Sequence, residues 1–480
     1  MKNRKLHLAT DYYQMSMSNV YICENMQNSE AVFDVFIRKN PFNGGYAVFA
    51  GLEQVADYLL NVRFEEEDIL MLKKNHSEIS DKYLDYLRNF KFTGSLSSVE
   101  EGCIVFPQEP LLRITAPLIE AQFIETTILS IINHQTLIAT KASRVVDAAA
   151  GDGVMEFGLR RAHGTEAGLY GARATIIGGC IGTSNVEVES FWNLPAKGTM
   201  SHSFVMSFDN ELEAFRTFAK YNLNNLILLV DTYDTLNSGV VNAVKVFREL
   251  RDQNKLNKGH YGIRLDSGDL AYLSKEARIM LDQAGFADAS ITASSDLDEY
   301  LIQDLKLQGA KINMWGVGTK LITAYDNAAL GGVYKLAQIT KNGIKKDTIK
   351  ISDAPEKVTN PGKKSIVRIY DKSTNKALAD IIILEGEKID ETKPLTIFHP
   401  VYTWKKRTLE NFYVKSLHKE IFKNGKLVYD IPDILSSKQK LKDEKETFWA
   451  AVLRLKNPYE YHVDLSDRLW NLKKELLDKQ

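Results

Sequence analysis

Residues 261–280 read YGIRLDSGDLAYLSKEARIM, and they contain one complete structural unit. A short apolar run begins at Tyr261 and ends in the polar cluster Asp266–Asp269. Apolar residues then recur at helical spacing, at Leu270, Leu273, Ala277 and Met280. A strand followed by a helix, with polar residues at the junction, is the repeating unit of parallel α/β folds.

The same unit recurs between about residue 150 and residue 335. Each apolar run ends in a polar or glycine-rich cluster, and several are followed by a helix-period segment. The runs are VMEFGLRR from Val154, ATIIGGCIGTSN from Ala174, GTMSHSF from Gly198, LILLVDTYDT from Leu226, YGIRLDSGD from Tyr261, SITASSDLD from Ser290 and KINMWGVGT from Lys311. This repetition predicts a parallel sheet that closes into an irregular α/β barrel, with the active site at the C-terminal ends of the strands.

The flanking regions differ from this pattern and predict two further domains. Residues 1–140 are predicted to form a mixed α+β domain, with a strand at Ala31–Arg38 and a long helix over Leu118–Lys141. Residues 141–340 are assigned to the barrel. Residues 341–480 are predicted to form a C-terminal extension of hairpins and helices, including an Asn-Gly hairpin at Ile421–Val428.

Composition excludes several classes of protein. The 480 residues carry a formal net charge of −1, which argues against a nucleic-acid partner bound through a basic surface. The three cysteines are far apart and give neither a disulfide framework nor a zinc spacing. The N-terminus lacks the apolar core of a signal peptide, and the least charged long stretch, Thr126–Thr140, is too short to span a bilayer. We expect a soluble, cytoplasmic protein without a membrane partner.

The segment Gly198–Phe208, GTMSHSFVMSF, has one ionisable side chain, His202, among small and hydroxyl residues. It has two interpretations. One is a pocket for an anion, and the other is a core strand whose histidine is satisfied by a neighbouring hydroxyl. Because the other strand ends carry polar clusters as well, the whole chain favours the pocket.

Two of those clusters offer groups for a phosphorylated sugar. Arg264 presents a planar fork that suits a carboxylate or a phosphate. Asp266 can accept hydrogen bonds from ribose hydroxyls, hold Mg²⁺ through water, or cap the following helix. Asp231 and Asp234 likewise suit either a metal or a helix cap.

Three other clusters suit an aromatic ring or an anion. Phe157 and Arg160 supply an aromatic face and a cation, although an arginine at a helix start is common. The loops Gly182–Asn185 and Gly316–Thr319 combine glycine with hydroxyl residues, and backbone amides in such loops bind phosphates. Neither loop matches the GxxxxGK[ST] pattern of a P-loop.

Taken together, these motifs resemble the nicotinate phosphoribosyltransferase family. The matching segments run in order from the N-terminus to Leu336. They are TDYYQMSM (10–17), FIRKNPFNGGYAVFAGLE (36–53), EFGLRRA (156–162), IGTSNV (181–186), GTMSHSFVMSF (198–208), VDTYDTL (230–236), IRLDSGDLA (263–271), ASSDLDEY (293–300), GVGTKLITA (316–324) and LGGVYKL (330–336). The resemblance implies an irregular α/β barrel, an N-terminal α+β domain, a C-terminal extension, and a homodimer or larger homo-oligomer with shared active sites.

The resemblance also implies a reaction. Nicotinate attacks 5-phosphoribosyl-1-diphosphate (PRPP) and yields nicotinate mononucleotide and pyrophosphate. ATP is a co-substrate whose hydrolysis is coupled through a phosphohistidine at His202, and Mg²⁺ accompanies PRPP and ATP. No residue is assigned as a protein ligand of the metal.

The family's functional positions map onto individual residues here. By resemblance, His202 and Asp266 are catalytic, and Tyr13 stacks on the pyridine ring from a neighbouring subunit. The remaining substrate contacts divide between the nicotinate, served by Thr199, Arg264, Phe157 and Arg160, and the phosphates and ribose, served by Arg38, Asp266, Gly318 and Thr319.

Ser184 separates the family from its relatives. The related nicotinamide enzymes resemble GTD at this place, whereas this chain has GTS at Gly182–Ser184. An aspartate would repel a carboxylate substrate, so the neutral hydroxyl favours nicotinate. The alternatives are a nicotinamide or quinolinate phosphoribosyltransferase, or a catalytically inactive barrel that acts as a scaffold.

Overall fold

The computed structural model describes residues 5–257 and 259–479, and the chain divides into two units. Residues up to Leu137 and residues from Ala329 onward form the first unit, and Ile138–Ala328 forms the second.

The helices and strands before the second sheet are α1 (Tyr12–Cys23), β1 (Glu30–Ile37), β2 (Ala47–Val48), α2 (Leu52–Asn61), α3 (Glu66–Asn75), α4 (Asp81–Arg88), β3 (Ser95–Ser98), β4 (Ile104–Val105), β5 (Leu112–Pro117), α5 (Leu118–Phe123) and α6 (Glu125–Ala148). The central part contains β6 (Gly153–Glu156), α7 (Thr165–Ile177), β7 (Gly182–Thr183), α8 (Glu187–Trp192), α9 (His202–Met206), α10 (Glu211–Tyr221), β8 (Leu226–Leu229), α11 (Val240–Asp252), β9 (Tyr261–Leu265), α12 (Leu270–Gln283), β10 (Ser290–Ser294), α13 (Glu299–Leu307), β11 (Met314–Val317) and α14 (Thr319–Ile322).

The C-terminal part contains β12 (Gly332–Lys341), β13 (Ile344–Asp347), β14 (Lys364–Asp371), β15 (Ala377–Leu384), β16 (Leu395–Phe398), β17 (Lys406–Leu409), β18 (Phe412–Ser416), β19 (Lys419–Lys423), β20 (Lys426–Leu427), α15 (Ile434–Thr447), α16 (Ala450–Leu453), β21 (Val463–Leu465) and α17 (Asp467–Asp478). Short 3₁₀ turns occur at Leu6–Leu8, Pro41–Asn43, Leu159–Arg161 and Pro355–Lys357, and one π turn at Thr235–Gly239.

The second unit is built on a six-stranded parallel sheet in the order β7-β6-β11-β10-β9-β8. Its strands are apolar runs that are buried almost throughout, as is typical of parallel sheets covered by helices. The sheet forms a half-barrel, and the predicted α/β class with an irregular barrel is confirmed.

One predicted strand is wrong. Six of the seven apolar runs each contribute a strand to this sheet, but the run from Gly198 does not. Irregular backbone leads to Ser201, and His202 begins the short helix α9. The rings of Phe204 and Phe208 lie 5.0 Å apart. These residues stand at i and i+4, so the apolar side chains here follow helical rather than alternating spacing.

Polar residues at the strand ends begin several of the intervening helices. Asp269 accepts a hydrogen bond from the backbone N–H of Tyr272 and caps α12. Asp298 caps α13 in the same way, and Asn210 caps α10. The caps at Asp269 and Asp298 start α12 and α13 close to the ends of β9 and β10, so these two polar clusters remain at the C-terminal ends of their strands.

The first unit contains a seven-stranded antiparallel sheet in the order β13-β12-β1-β5-β3-β19-β20. The predicted strand at Ala31–Arg38 and the predicted hairpin at Ile421–Val428 both lie in it and are confirmed. The helix predicted over Leu118–Lys141 is present as α5 and α6.

A smaller four-stranded sheet of the same unit, in the order β18-β14-β15-β21, has α17 packed against β15. Its apolar face includes Ile369, Ile381 and Phe412, all of them buried. The described helices of the chain include none that is long and apolar enough to cross a membrane.

Candidate active site

The C-terminal ends of the parallel strands bring most of the predicted site residues of the second unit together. Phe157 follows β6, Ser184 follows β7, and Gly318 and Thr319 follow β11. Arg264 lies near the end of β9 with Asp266 just beyond it, and α9 begins at His202.

The guanidinium of Arg264 is held in a fixed orientation by four groups. Its Nε donates to Ser294 Oγ at 2.8 Å, and its Nη2 donates to Asp266 Oδ1 at 2.9 Å. Its Nη1 donates to Thr199 Oγ1 at 3.1 Å and to the carbonyl of Met200 at 3.3 Å. A guanidinium held this way is preorganised to bind an anionic group without losing its own side-chain entropy.

Asp266 joins Arg264 to His202. Partial burial raises the pKa of Asp266, but the hydrogen bond from Ser294 and the positive charge of Arg264 outweigh that effect, so its pKa lies below the ordinary value. The carboxylate is therefore ionised at neutral pH. Its Oδ2 lies 3.5 Å from His202 Nε2.

His202 is held on both ring nitrogens. Thr232 Oγ1 lies 3.2 Å from Nδ1, on the side opposite to Asp266. Because an ionised carboxylate can only accept, Asp266 favours the tautomer that carries hydrogen on Nε2. The imidazole is 40% exposed, so a ligand can reach it.

Phe157 provides the aromatic face of the cluster. The Arg264 guanidinium lies 5.9 Å from the centre of its ring. The ring fits because residue 316 is glycine: a Cβ atom at Gly316 would lie 2.6 Å from Phe157 Cδ2. The glycine of the GVGT loop therefore makes room for an aromatic ring.

Ser184 lies in a loop that a buried carboxyl group holds in place. Its backbone N–H donates to the carbonyl of Glu156 at 2.9 Å. Glu156 Oε2 accepts from Thr183 Oγ1 at 2.6 Å, and burial raises the pKa of this carboxyl group. Glu156 thus positions the residue that is predicted to decide substrate choice.

Three predicted residues take part in none of the contacts just described. Arg160 is exposed in the turn Leu159–Arg161 that follows Phe157. Tyr13, on α1, and Arg38, just after β1, belong to the first unit. Tyr13 is 48% exposed.

Ser294, Thr232 and Ser267 were not assigned a role from the sequence, whereas Asp231 was considered as a metal ligand or a helix cap. Ser294 joins Arg264 to Asp266, and Thr232 contacts His202. Asp231 Oδ2 accepts from the backbone N–H of Asp266 at 2.8 Å and from Ser267 Oγ at 2.6 Å. The sequence feature that could have indicated them is their position in the polar clusters at the ends of β10, β8 and β9.

Comparison with known protein families accounts for almost the whole chain. Residues 8–133 match the N-terminal domain model of nicotinate phosphoribosyltransferase, residues 153–380 the family model, and residues 363–473 the C-terminal domain model. The chain belongs to the nicotinate phosphoribosyltransferase family. The resemblance drawn from the motifs is therefore confirmed.

Individual relatives of the family match over nearly their full length. The chain is 48% identical to nicotinate phosphoribosyltransferase of Bacillus subtilis (strain 168) over 472 residues, covering 98% of this chain and 95% of the relative. It is 35% identical to nicotinate phosphoribosyltransferase of Caenorhabditis elegans, covering 96% of this chain and 92% of the relative.

Two solved structures share the fold of this chain. The crystal structure of human nicotinic acid phosphoribosyltransferase matches with a TM-score of 0.86 at 26% identity, covering 97% of this chain and 99% of that one. A nicotinate-nucleotide pyrophosphorylase from Pyrococcus furiosus matches with a TM-score of 0.70 at 22% identity, covering 93% of this chain and 98% of that one. The second similarity concerns the fold alone.

Proposed function

We propose that the protein transfers the phosphoribosyl group of PRPP to nicotinate. The pyridine nitrogen attacks C1 of the ribose, the bond from C1 to the pyrophosphate oxygen breaks, and nicotinate mononucleotide and pyrophosphate leave. The observation that carries the proposal is the fixed Arg264 guanidinium beside Phe157 and Thr199, in a chain of this family. A planar cation next to an aromatic face suits a pyridine carboxylate.

The environment of Ser184 supports nicotinate over nicotinamide. The loop that contains it presents a neutral hydroxyl and no aspartate, so a substrate carboxylate meets no like charge from that position. Phe157 supplies one face of a ring sandwich. Tyr13 of a neighbouring subunit is proposed to supply the other face, within a homodimer or larger homo-oligomer.

Coupling to ATP is proposed to run through His202. One ring nitrogen attacks the γ-phosphorus of ATP, the bond to the bridging oxygen breaks, and ADP leaves while the phosphoryl group stays on the ring. Asp266 accepts a hydrogen bond from the other nitrogen and stabilises the ring when it becomes positively charged. Water later cleaves the phosphohistidine and releases phosphate.

The residues present fit a magnesium ion that arrives with the substrate phosphates. No cluster of three or more His, Cys, Asp or Glu residues that could hold a metal occurs in residues 5–257 and 259–479. Asp231 Oδ1 is buried there without a hydrogen-bond partner, and Mg²⁺ is commonly bound by one or two carboxylates plus phosphates. Asp231 and Asp266 would face the ion, whose Lewis acidity supports departure of pyrophosphate.

A substrate panel tests the proposal. The protein is incubated with PRPP, Mg²⁺ and each of nicotinate, nicotinamide and quinolinate, with and without ATP, and the mononucleotides are separated and quantified. We expect product from nicotinate, at a higher yield with ATP. Product from another pyridine would establish the related enzymes instead, and no product from any of them would favour the inactive scaffold.

A further inference from the structure

The first unit contains a cavity of about 980 Å³. Of its lining residues, Arg38 alone is assigned to the reaction, by resemblance. All residues that line it belong to the first unit, and they come from the end of β1, the β16–β17 hairpin, β21 and α17. Its volume lies at the upper end of the range found for small-molecule sites, which is roughly 300–1,000 Å³.

The buried part of the cavity contains an unpaired carboxylate. Asp464, on β21, is 2% exposed, and both of its carboxylate oxygens lack a hydrogen-bond partner among the described residues. Burial raises the pKa of Asp464 to about 7. Buried polar side chains are almost always hydrogen-bonded, so an unpaired pair of acceptors at a cavity indicates that a donor is missing.

The neighbouring side chains do not supply that donor. His399 Nδ1 accepts from the backbone N–H groups of Val401 and Tyr402. Burial lowers the pKa of His399 and also that of His462, so both rings are neutral at neutral pH. Two half-buried cations also line the cavity: Lys473 donates to Asn360 Oδ1 at 2.9 Å, and Arg38 Nε is buried without a hydrogen-bond partner among the described residues.

The exposed rim of the cavity carries positive charge, whereas its buried part contains the carboxyl group of Asp464. Lys39 and Lys405 line it and are exposed, as are the rings of Tyr402 and Tyr459. The cavity therefore combines cations and aromatic faces at its rim with a carboxyl group inside that can only accept hydrogen bonds above its pKa of about 7. An anionic ligand with an aromatic body and an N–H donor at its far end complements all three features.

We propose that this cavity binds a nucleoside phosphate whose base carries an exocyclic amino group. The amino group donates to Asp464, and the phosphate lies near Lys39 and Lys405. A carboxylate cannot donate when it is ionised, so a base with a carbonyl oxygen in place of the amino group leaves both acceptors unpaired. The site belongs to the first unit, and Arg38 is the one lining residue that it shares with the residues assigned to phosphoribosyl transfer.

Two matched pairs of nucleotides test the inference on the full chain by isothermal titration at pH 8, above the pKa of about 7 of Asp464. AMP and IMP differ in an amino group against a carbonyl oxygen, and CMP and UMP differ in the same way. We expect at least one amino nucleotide to bind about tenfold more tightly than its partner, the effect of leaving a buried group unpaired. Asp464→Asn, whose amide can also donate, should abolish or invert that preference.

Controls separate this site from nucleotide binding elsewhere in the chain. Glu356→Gln removes the same charge from an exposed residue of the lining and should leave the preference unchanged. If the nucleotides bound in the barrel instead, the Asp464→Asn substitution should not change the affinity ratio between the amino and the carbonyl nucleotide. Lys39→Ala with Lys405→Ala changes only exposed side chains, and we expect weaker binding of AMP but unchanged binding of adenosine.

Three results would overturn the inference. The first is equal affinity within both nucleotide pairs, and the second is the absence of binding by all four nucleotides at millimolar concentration. The third is a preference that survives in Asp464→Asn. If that variant does not fold, as judged by its thermal transition, the comparison of AMP with adenosine in the double lysine variant decides in its place.

Discussion

His202 lies between an ionised acceptor and a hydroxyl group, and this environment determines what its loss should do. We expect His202→Ala to abolish ATP hydrolysis and the stimulation of product formation by ATP. A slow reaction without ATP should survive, because PRPP already carries a good leaving group. Phosphate release and mononucleotide formation are measured separately.

The matched control for His202 is His260→Ala. His260 is exposed and precedes β9, at the end of the parallel sheet opposite to the polar clusters. That variant should keep full ATP coupling. An acid-labile phosphohistidine that still forms in His202→Ala would show that another histidine carries the phosphoryl group.

Ser184 offers a second test at the level of single atoms. Ser184→Asp places a carboxylate where we propose that the substrate carboxylate binds, and like charges at close range cost several kcal/mol. We expect the preference for nicotinate over nicotinamide to fall by about 100-fold, or ~2.7 kcal/mol. Competition between the two pyridines measures it. Ser190→Asp adds the same charge on the exposed face of α8 and should change nothing.

At the scale of elements, β11 and the turn after β6 are fitted to each other through one glycine. Gly316→Ala would place a methyl group 2.6 Å from Phe157 Cδ2 and push the ring out of position. Overpacking of this kind typically costs ~1–3 kcal/mol. We expect a lower thermal transition and a higher KM for nicotinate. Gly198→Ala, where the added Cβ meets nothing within 4 Å, is the control for stability.

The strand β21 carries a group that makes stability depend on pH. The pKa of Asp464 is about 7 in the folded protein against an ordinary 3.8, so the folded state holds its proton while the unfolded state loses it. Its contribution is fully present below pH 4 and is lost as pH rises to about 7. At pH 8 the penalty is at most ~4 kcal/mol.

Asp464→Asn should remove this dependence. We expect the variant to unfold at a higher temperature than the unmodified protein at pH 8 and at a similar temperature at pH 4.5. Calorimetry at both values measures the difference. A gain of equal size at both pH values would mean that packing and not ionisation causes the effect.

The sequence predicts these elements unequally well. The period of Leu270, Leu273, Ala277 and Met280 predicts α12 because a helix covering a sheet needs one apolar stripe. The irregular backbone before His202 has no period, since its contacts are made with residues distant in the chain. The proximity of Arg264 and Asp266 follows from their spacing, because side chains at i and i+2 of an extended chain point to the same side, and Asp266 immediately follows β9.

Contacts between side chains of different strands cannot be predicted from the spacing of residues along the sequence. Ser294 reaches Arg264 only because β10 and β9 pair with Thr292 opposite Arg264. The cavity at Asp464 depends on a more distant arrangement, in which residues near Lys39, Lys405 and Lys473 come together. Register and long-range packing decide both, and neither follows from local propensity.

At the scale of the whole molecule, Tyr13 tests whether active sites are shared between subunits. It belongs to the first unit, is 48% exposed on α1, and is assigned to the pyridine ring by resemblance alone. A core tyrosine of the N-terminal domain is the competing interpretation, but such a residue would be buried. We expect Tyr13→Ala and Arg264→Ala each to be nearly inactive alone, with a raised KM for nicotinate where activity remains.

Mixed oligomers then distinguish sharing from action within one chain. If Tyr13 serves the barrel of a neighbour in a dimer, a Tyr13→Ala subunit paired with an Arg264→Ala subunit forms one site with both residues intact and one with neither. Such purified mixed dimers should regain about half of the normal activity, because a two-fold symmetric pair has two equivalent sites. As a control, the Tyr12→Ala variant, which changes the exposed neighbouring position, should be active without a complementing variant subunit. If Tyr13 acts within its own chain, each mixed dimer contains only singly damaged sites, and no activity returns.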